Sequence, residues 1–175
     1  MKPPQIIPCG EKHLEAIRAI FNEVIRHSTA LYEYQPRTPD MMRLWFAAKQ
    51  QGQYPVLGLE DEAGTLLGFA ACGPFRHFPA YKYTVEHSVY VDARFRGRGV
   101  GRQLLLALIE AAQARDYHVM IGAIDAANHA SIALHRRLGF TRCASIKQAG
   151  FKFGRWLDLE FHQLILPTPA QPKEE

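Results

Sequence analysis

A strand, a glycine-rich basic turn and a leucine-rich helix follow one another without a break between residues 84 and 115, and no other stretch limits the possible folds as much. Thr84 to Val91 alternates apolar and polar positions, as a strand with two different faces does. Asp92-Ala93-Arg94-Phe95-Arg96-Gly97-Arg98-Gly99 comes next. Gly101 to Arg115 then carries Leu104, Leu105, Leu108, Ile109 and Ala112 at helical spacing. Glycines let the backbone turn tightly and come close to a ligand. The first amides of a helix have no partner within it and carry partial positive charge. A strand that runs through such a turn into a helix therefore makes an anion site suited to a pyrophosphate. Arg94, Arg96, Arg98 and Arg102 add charge around it. The Lys-Ser/Thr ending of a Walker loop is absent, and Gly97-x-Gly99-x-Gly101 does not match the dinucleotide fingerprint.

The rest of the chain supplies a frame for this unit. Gln5 to Cys9 reads as an edge strand, because Pro8 cannot donate to a central ladder. Leu14, Ile17, Ile20, Phe21, Val24 and Ile25 predict a helix from Lys12 to about His27. Asp40 is the expected cap of a second helix carrying Met41, Leu44, Trp45 and Ala48 and ended by Gly52. Pro55 to Glu60 and Leu66 to Cys72 are strands, joined by a turn at Asp61 to Gly64. His118 to Ile124 is a strand, and Asn128 to Leu138 a helix capped by Asn128 and stopped by Gly139. Two strands follow Phe140, with a turn near Gly150 to Gly154. The order β-α-α-β-β-β-α-β-α-β-β specifies one mixed α/β domain over residues 1–166, and the polar tail 167–175 is expected to be disordered.

Composition excludes several classes. With 47% hydrophobic and 22% charged residues, the chain is an ordinary globular protein. No apolar run approaches the roughly 18 residues that cross a bilayer, and Met1 to Pro4 begins no signal peptide, so no membrane partner is expected. Cys9, Cys72 and Cys143 are odd in number and far apart, which fits the reducing cytoplasm. The net charge of +4 suits any polyanion, but the arginines gather at one turn and one helix end. A nucleic-acid partner would need them spread over a face, so none is expected. The eight histidines form no paired-ligand helix motif, and no metal site is expected.

Arg96-x-x-Gly99-x-Gly101, placed between strand and helix, resembles the acetyl-CoA pyrophosphate loop of the GNAT N-acetyltransferase superfamily. Asn128 to Phe140, downstream, resembles its second hallmark. Within the superfamily the chain is most similar to the phosphinothricin and methionine sulfoximine acetyltransferase group. Val85 to Val91, the histidine of Leu134-His135-Arg136-Arg137-Leu138-Gly139-Phe140, and Gly150 to Asp158 carry that likeness. The resemblance implies a mostly antiparallel mixed sheet flanked by helices, with acetyl-CoA as co-substrate. It implies that the backbone around Val89, Tyr90 and Val91 pairs with the pantetheine arm. Arg96, Gly97, Arg98, Gly99, Val100, Gly101 and Arg102 then hold the pyrophosphate, and Asn128 and Ser131 lie beside the thiol arm. Relatives of this type are often homodimers, which implies one here.

Acetyl transfer needs a neutral amine, a polarised thioester carbonyl and a proton for the leaving thiolate. Near pH 7.5 a lysine-like amine costs roughly 4 kcal/mol to deprotonate and an α-amine under about 1 kcal/mol, so a base is useful. Glu86, in mid-strand where glutamate is uncommon, is the candidate, acting directly or through water. His135 stands where many relatives have a proton-donating tyrosine, and Tyr90 and Tyr83 remain further donors. Phe75, Arg76 and Tyr83 from one loop and Tyr32 from another are the candidate substrate contacts. Arg76 is suited to clamp a carboxylate or phosphinate. The expected reaction is N-acetylation of a small amino-acid-like amine. A peptide N-terminus is the alternative acceptor, and an acetyl-CoA-binding regulator without catalysis is a further reading.

Overall fold

In the computed structural model, which describes residues 2–174, seven strands and four helices form a single sheet with a helical layer on each face. In chain order they are β1 (Gln5–Pro8), α1 (Leu14–His27), α2 (Pro39–Gln51), β2 (Val56–Glu60), β3 (Leu66–Pro74), β4 (Thr84–Val91), α3 (Val100–Gln113), β5 (Val119–Asp125), α4 (His129–Arg137), β6 (Thr141–Lys152) and β7 (Arg155–Ile165). The expected order and mixed α/β class hold. The strand order is β1-β2-β3-β4-β5-β7-β6, and every described pairing is antiparallel except β4 with β5. Pro8 lies on the edge strand, where its missing N–H costs no ladder bond.

The hydrophobic pattern decides which face each helix covers. Ile17, Ile20 and Phe21 of α1 and Met42 and Phe46 of α2 bury against Val56, Leu66, Phe69 and Ala71. Leu104, Leu105, Leu108 and Ala112 of α3 cover Leu67, Ala70, Cys72, Val85 and Met120 on the opposite face, and Leu134 of α4 and Leu138 just after it pack on that same cluster. Eight of the nine residues of β3 are buried, because helices lie on both sides of it.

The cap of α2 differs from the sequence expectation. Thr38, not Asp40, is the N-cap, and its hydroxyl accepts from the Met41 amide at 3.2 Å. Pro39 explains the shift: it has no N–H to satisfy, and its fixed φ suits the first helical position, which places the cap one residue earlier. Asn128 does cap α4, accepting from the Ser131 amide at 3.1 Å.

Two connections matter for the site. The loop between α1 and α2 is tied to the β6–β7 hairpin. The Lys152 ammonium, only 4% exposed, donates to the carbonyls of Ser28 and Leu31, each at 2.8 Å. The Tyr34 hydroxyl donates to Phe151 O at 2.6 Å. At the other end, residues 167–174 form neither helix nor strand but are anchored. Thr168 donates to Tyr117 O at 2.6 Å, and the Tyr83 hydroxyl meets the Lys173 backbone at 3.0–3.1 Å. Met1 and Glu175, the ends of the expected domain and tail, lie outside the described residues. No helix among those residues is long and apolar enough to cross a membrane.

Candidate active site

β4 and β5 pair only from Thr84↔Val119 to His87↔Gly122, although both strands continue. Beyond that point they separate, and a cavity of about 270 Å³ opens. Glu86 to Tyr90, Gly122 to Asp125, Ala30 to Tyr32, and Asn128, Ser131 and His135 are among its walls. The cavity thus joins the α1–α2 face of the sheet to the α4 face.

The open edge of β4 is a row of hydrogen-bonding groups. Asp92 N donates to Leu67 O of β3 at 3.0 Å, and the β3–β4 register runs without a shift. Backbone direction alternates along a strand, so Ser88 and Tyr90 also point their N–H and C=O groups at β3. Val89 and Val91 point theirs into the gap. Buried backbone groups need partners, so this stretch is built to be completed by an extended ligand.

The turn that follows has the conformation its glycines predict. Gly97 and Gly99 have φ of +75° and +78°, and a Cβ at either would meet nothing within 4 Å. Glycine is needed there for backbone conformation, not for space. Gly99 caps α3, and Val100, Gly101 and Arg102 open that helix with amides that have no partner inside it. The arginines are not equivalent. Arg94 is held by Asp92 at 2.7 Å, and Arg96 by Glu23 at 2.6 Å and by Val91 O at 3.3 Å. Arg98 and Arg102 are exposed and form no ion pair among the described residues.

Glu86 lines the cavity, half-buried. Burial raises its carboxyl above the usual range, and the nearby Arg76 and Lys49 cations oppose that rise. Tyr32 lines the cavity too. Its hydroxyl donates to Asp125 Oδ2 at 3.1 Å, and burial and that carboxylate keep it protonated. Asp125, 4% exposed, also accepts from Ala127 N at 2.8 Å. The structure brings neither Phe75 nor Tyr83 to the cavity. Phe75 pairs edge-on with Tyr81 at 5.8 Å, and Tyr83 stands before the start of β4, at the end where the strands are joined. Arg76 is exposed, with its guanidinium 5.3 Å from the Phe75 ring.

His135 is buried, and both of its ring nitrogens are occupied. Nδ1 lies 2.8 Å from Ser131 O, and Nε2 lies 2.9 Å from Nε2 of His87. A carbonyl can only accept, so His135 carries its proton on Nδ1 and its Nε2 accepts from His87. Gly122 makes room for the pair: a Cβ there would lie 3.1 Å from the His87 ring and 3.2 Å from His135 Nε2. Burial and then the facing imidazole depress His87 to about 3, and burial depresses His135 as well, so both rings are neutral. Sequence reasoning passed over His87, Asp125 and Lys152. His87 alternates with Val85 and Val89 and reads as one more core position. Among the described residues no three His, Cys, Asp or Glu side chains converge to hold a metal.

The model of the Acetyltransferase (GNAT) family matches residues 16–140, which span the turn, the open strand edge and α4. The chain belongs to the GNAT acetyltransferase family. It is 48% identical over 164 residues to the L-methionine sulfoximine/L-methionine sulfone acetyltransferase of Pseudomonas paraeruginosa, covering 93% of this chain and 95% of the relative. It superposes with a TM-score of 0.93 on yncA from Salmonella typhimurium, solved with its cofactor acetyl-CoA, at 41% identity over 98% of this GNAT chain and 99% of the other. A GNAT superfamily phosphinothricin acetyltransferase from Sinorhizobium meliloti, in complex with acetyl-CoA, gives a TM-score of 0.93 at 35% identity over 98% and 93% of the two chains.

The neutral histidine pair gives this GNAT protein a defined pH response. An unfolded histidine takes a proton near 6.5, whereas folded His87 resists it down to about 3. Between those values the unfolded chain binds more protons, so the contribution is full above pH 6.5 and is lost as pH falls. At pH 5 the loss from His87 is about 2 kcal/mol. Urea unfolding at pH 7 and pH 5 should show a larger drop for the native chain than for His87→Gln. Equal drops would remove the pair as the cause.

Proposed function

We propose that the protein transfers the acetyl group of acetyl-CoA to the amine of a small amino-acid-like acceptor, of the methionine sulfoximine or phosphinothricin type. The observation that carries this reading is the cavity where β4 and β5 part, which has Glu86 on one side and Asn128 and Ser131 on the other. The amides of Gly99 to Arg102, with Arg98 and Arg102 unpaired beside them, suit the pyrophosphate. Val89 and Val91 offer cleft-facing groups to the pantetheine arm, and the Val91 N–H is aimed to steady the oxyanion formed from the thioester carbonyl. The acceptor enters from the side of Tyr32 and Glu86, with Arg76 drawing its carboxylate.

Glu86 takes the ammonium proton, directly or through one water. The freed amine attacks the thioester carbonyl, and the tetrahedral intermediate breaks its C–S bond to expel the thiolate of CoA while its nitrogen sheds the remaining surplus proton to water, leaving the neutral amide. A base whose pKa burial has raised toward the working pH is better matched to this task. His135 offers no free N–H for the thiolate, because both of its nitrogens are engaged. Tyr90, which lines the cavity and is pushed up to about 12 by burial, keeps its proton and is the favoured donor. We also infer that the protein works in the cytoplasm, its three cysteines being free, and as a homodimer. Phe151, Phe153 and Trp156 of the β6–β7 hairpin are exposed, with exposed Ile146 further along β6, and a patch of this kind marks an association surface.

Thiol release from acetyl-CoA, measured over a panel of amino acids with methionine sulfoximine, methionine sulfone and phosphinothricin included, tests the substrate class. Turnover should be greatest with one of these α-amino acids, and Arg76→Ala should raise the acceptor KM well above any change for acetyl-CoA. Preference for peptide N-termini would overturn the class.

Glu86→Gln should move the acid limb of kcat/KM from the carboxylate's range to that of the free amine, near about 8, so that the loss is greatest at low pH. Tyr90→Phe should lower kcat without moving the limb. An unaltered profile in Glu86→Gln would remove Glu86 as the base.

Light scattering should give twice the chain's 19.8 kDa, and Trp156→Glu should return it to a single chain. A monomeric native protein would refute the dimer.

A further inference from the structure

Lys49, in the last turn of α2, has no part in the mechanism above, yet its position is unusual. Its ammonium is largely withdrawn from water and donates to Cys72 O at 2.6 Å. The rings of Trp45 and Tyr54 lie 5.7 Å and 5.9 Å away. A Cβ built on Gly73 would meet one atom within 4 Å, Lys49 Nζ at 2.7 Å. The ammonium therefore fills the place where a side chain at position 73 would begin. Gly73 is the direct cross-strand partner of Glu86, and directly opposed residues of an antiparallel pair project their side chains from the same face. The lysine is thus delivered, through a gap that only glycine leaves, to the side of the one carboxylate in mid-β4.

We propose that Lys49 is a positioning residue for acetyl transfer: its ammonium, seated in the Gly73 gap, keeps the Glu86 carboxylate ionised and turned toward the incoming amine. This rests on the reading of Glu86 as the base. The other groups around Glu86 do not replace it. Arg76 reaches it from the exposed β3–β4 loop, where solvent screens its charge. From the α1–α2 loop, Arg37 and Glu33 neutralise each other in an ion pair at 2.5 Å, and the Tyr32 hydroxyl is bound to Asp125 of β5. Tyr90, on the same strand and face, stays neutral, as do His87 and, from α4, His135. Lys49 is the less exposed of the two cations beside Glu86, and the Cys72 carbonyl and two aromatic rings stabilise its charge in that setting.

The test compares pH profiles of kcat/KM in the full-length enzyme. Lys49→Met removes the cation, so the carboxylate protonates more readily and the acid limb should rise by about one pH unit. Gly73→Ala meets only the far end of a flexible side chain, so the fold should survive while the ammonium is displaced, and the limb should shift the same way by less. Lys49→Arg should restore most of the native profile. In a Glu86→Gln background, Lys49→Met should produce no further shift, because it acts through the carboxylate. Acetyl-CoA affinity and Tm, measured in parallel, report folding; if Lys49→Met does not fold, Gly73→Ala and Lys49→Arg decide. An unmoved limb in Gly73→Ala and Lys49→Met, with Glu86→Gln still removing the limb, would overturn the role of Lys49 and leave Glu86 in place. A raised acceptor KM with an unmoved limb would overturn it too, making Lys49 a substrate contact. A limb unaffected by Glu86→Gln would defeat the base itself.

Discussion

The ladder between β4 and β5 ends at His87 and Gly122, and from there β4 has a strand on one side only. A sheet interior does not tolerate such an edge unless something else occupies it. Here the gap is kept open from within. Gly122 contributes no side chain, and the neutral imidazoles of His87 and His135, joined by a hydrogen bond, occupy the space it leaves. The turn at Gly97 and Gly99, the cap of α4 at Asn128 and the wall at Tyr32 are all arranged around that opening.

Much of this was legible in the sequence, for local reasons. The order of all eleven main elements follows from period and punctuation, and the phosphate turn announces itself because left-handed backbone leaves a glycine signature. Glu86 stood out because a strand seldom carries a carboxylate in its middle. The failures are equally instructive. Asp40 looks like the cap from its residue type alone, whereas Pro39 at the first helical position gives that place to Thr38. Tyr83 was placed in the site by its neighbours in sequence, although the strand carries it to the joined end of the sheet. Phe75 and Arg76, from the same loop, reach only its margin. Contacts that span the chain leave no local trace, so the pairing of His87 with His135 and that of Tyr32 with Asp125 could not be read from either segment alone.

The site separates two electrostatic tasks by burial. At the glycine turn Arg94 and Arg96 are already paired, Arg98 and Arg102 are exposed with no ion pair among the described residues, and the amides that open α3 carry dipoles set by the fold. On the acceptor side one carboxylate lies between an exposed guanidinium and a less exposed ammonium. The first cation is open to solvent, and the second is partly withdrawn from it.

Lys152 joins residues 28 and 31 to a position more than a hundred residues later in the chain, with sequence separations of 124 and 121. The carbonyls of Ser28 and Leu31 have that ammonium as their partner, so this part of the loop takes its final form only when the penultimate strand is in place. During synthesis, α1, α2 and the phosphate turn all emerge well before it. The cavity wall at Ala30 to Tyr32 is consequently among the last parts of the chain to be completed on the ribosome, and the glycine turn ahead of α3 can take shape before that wall exists.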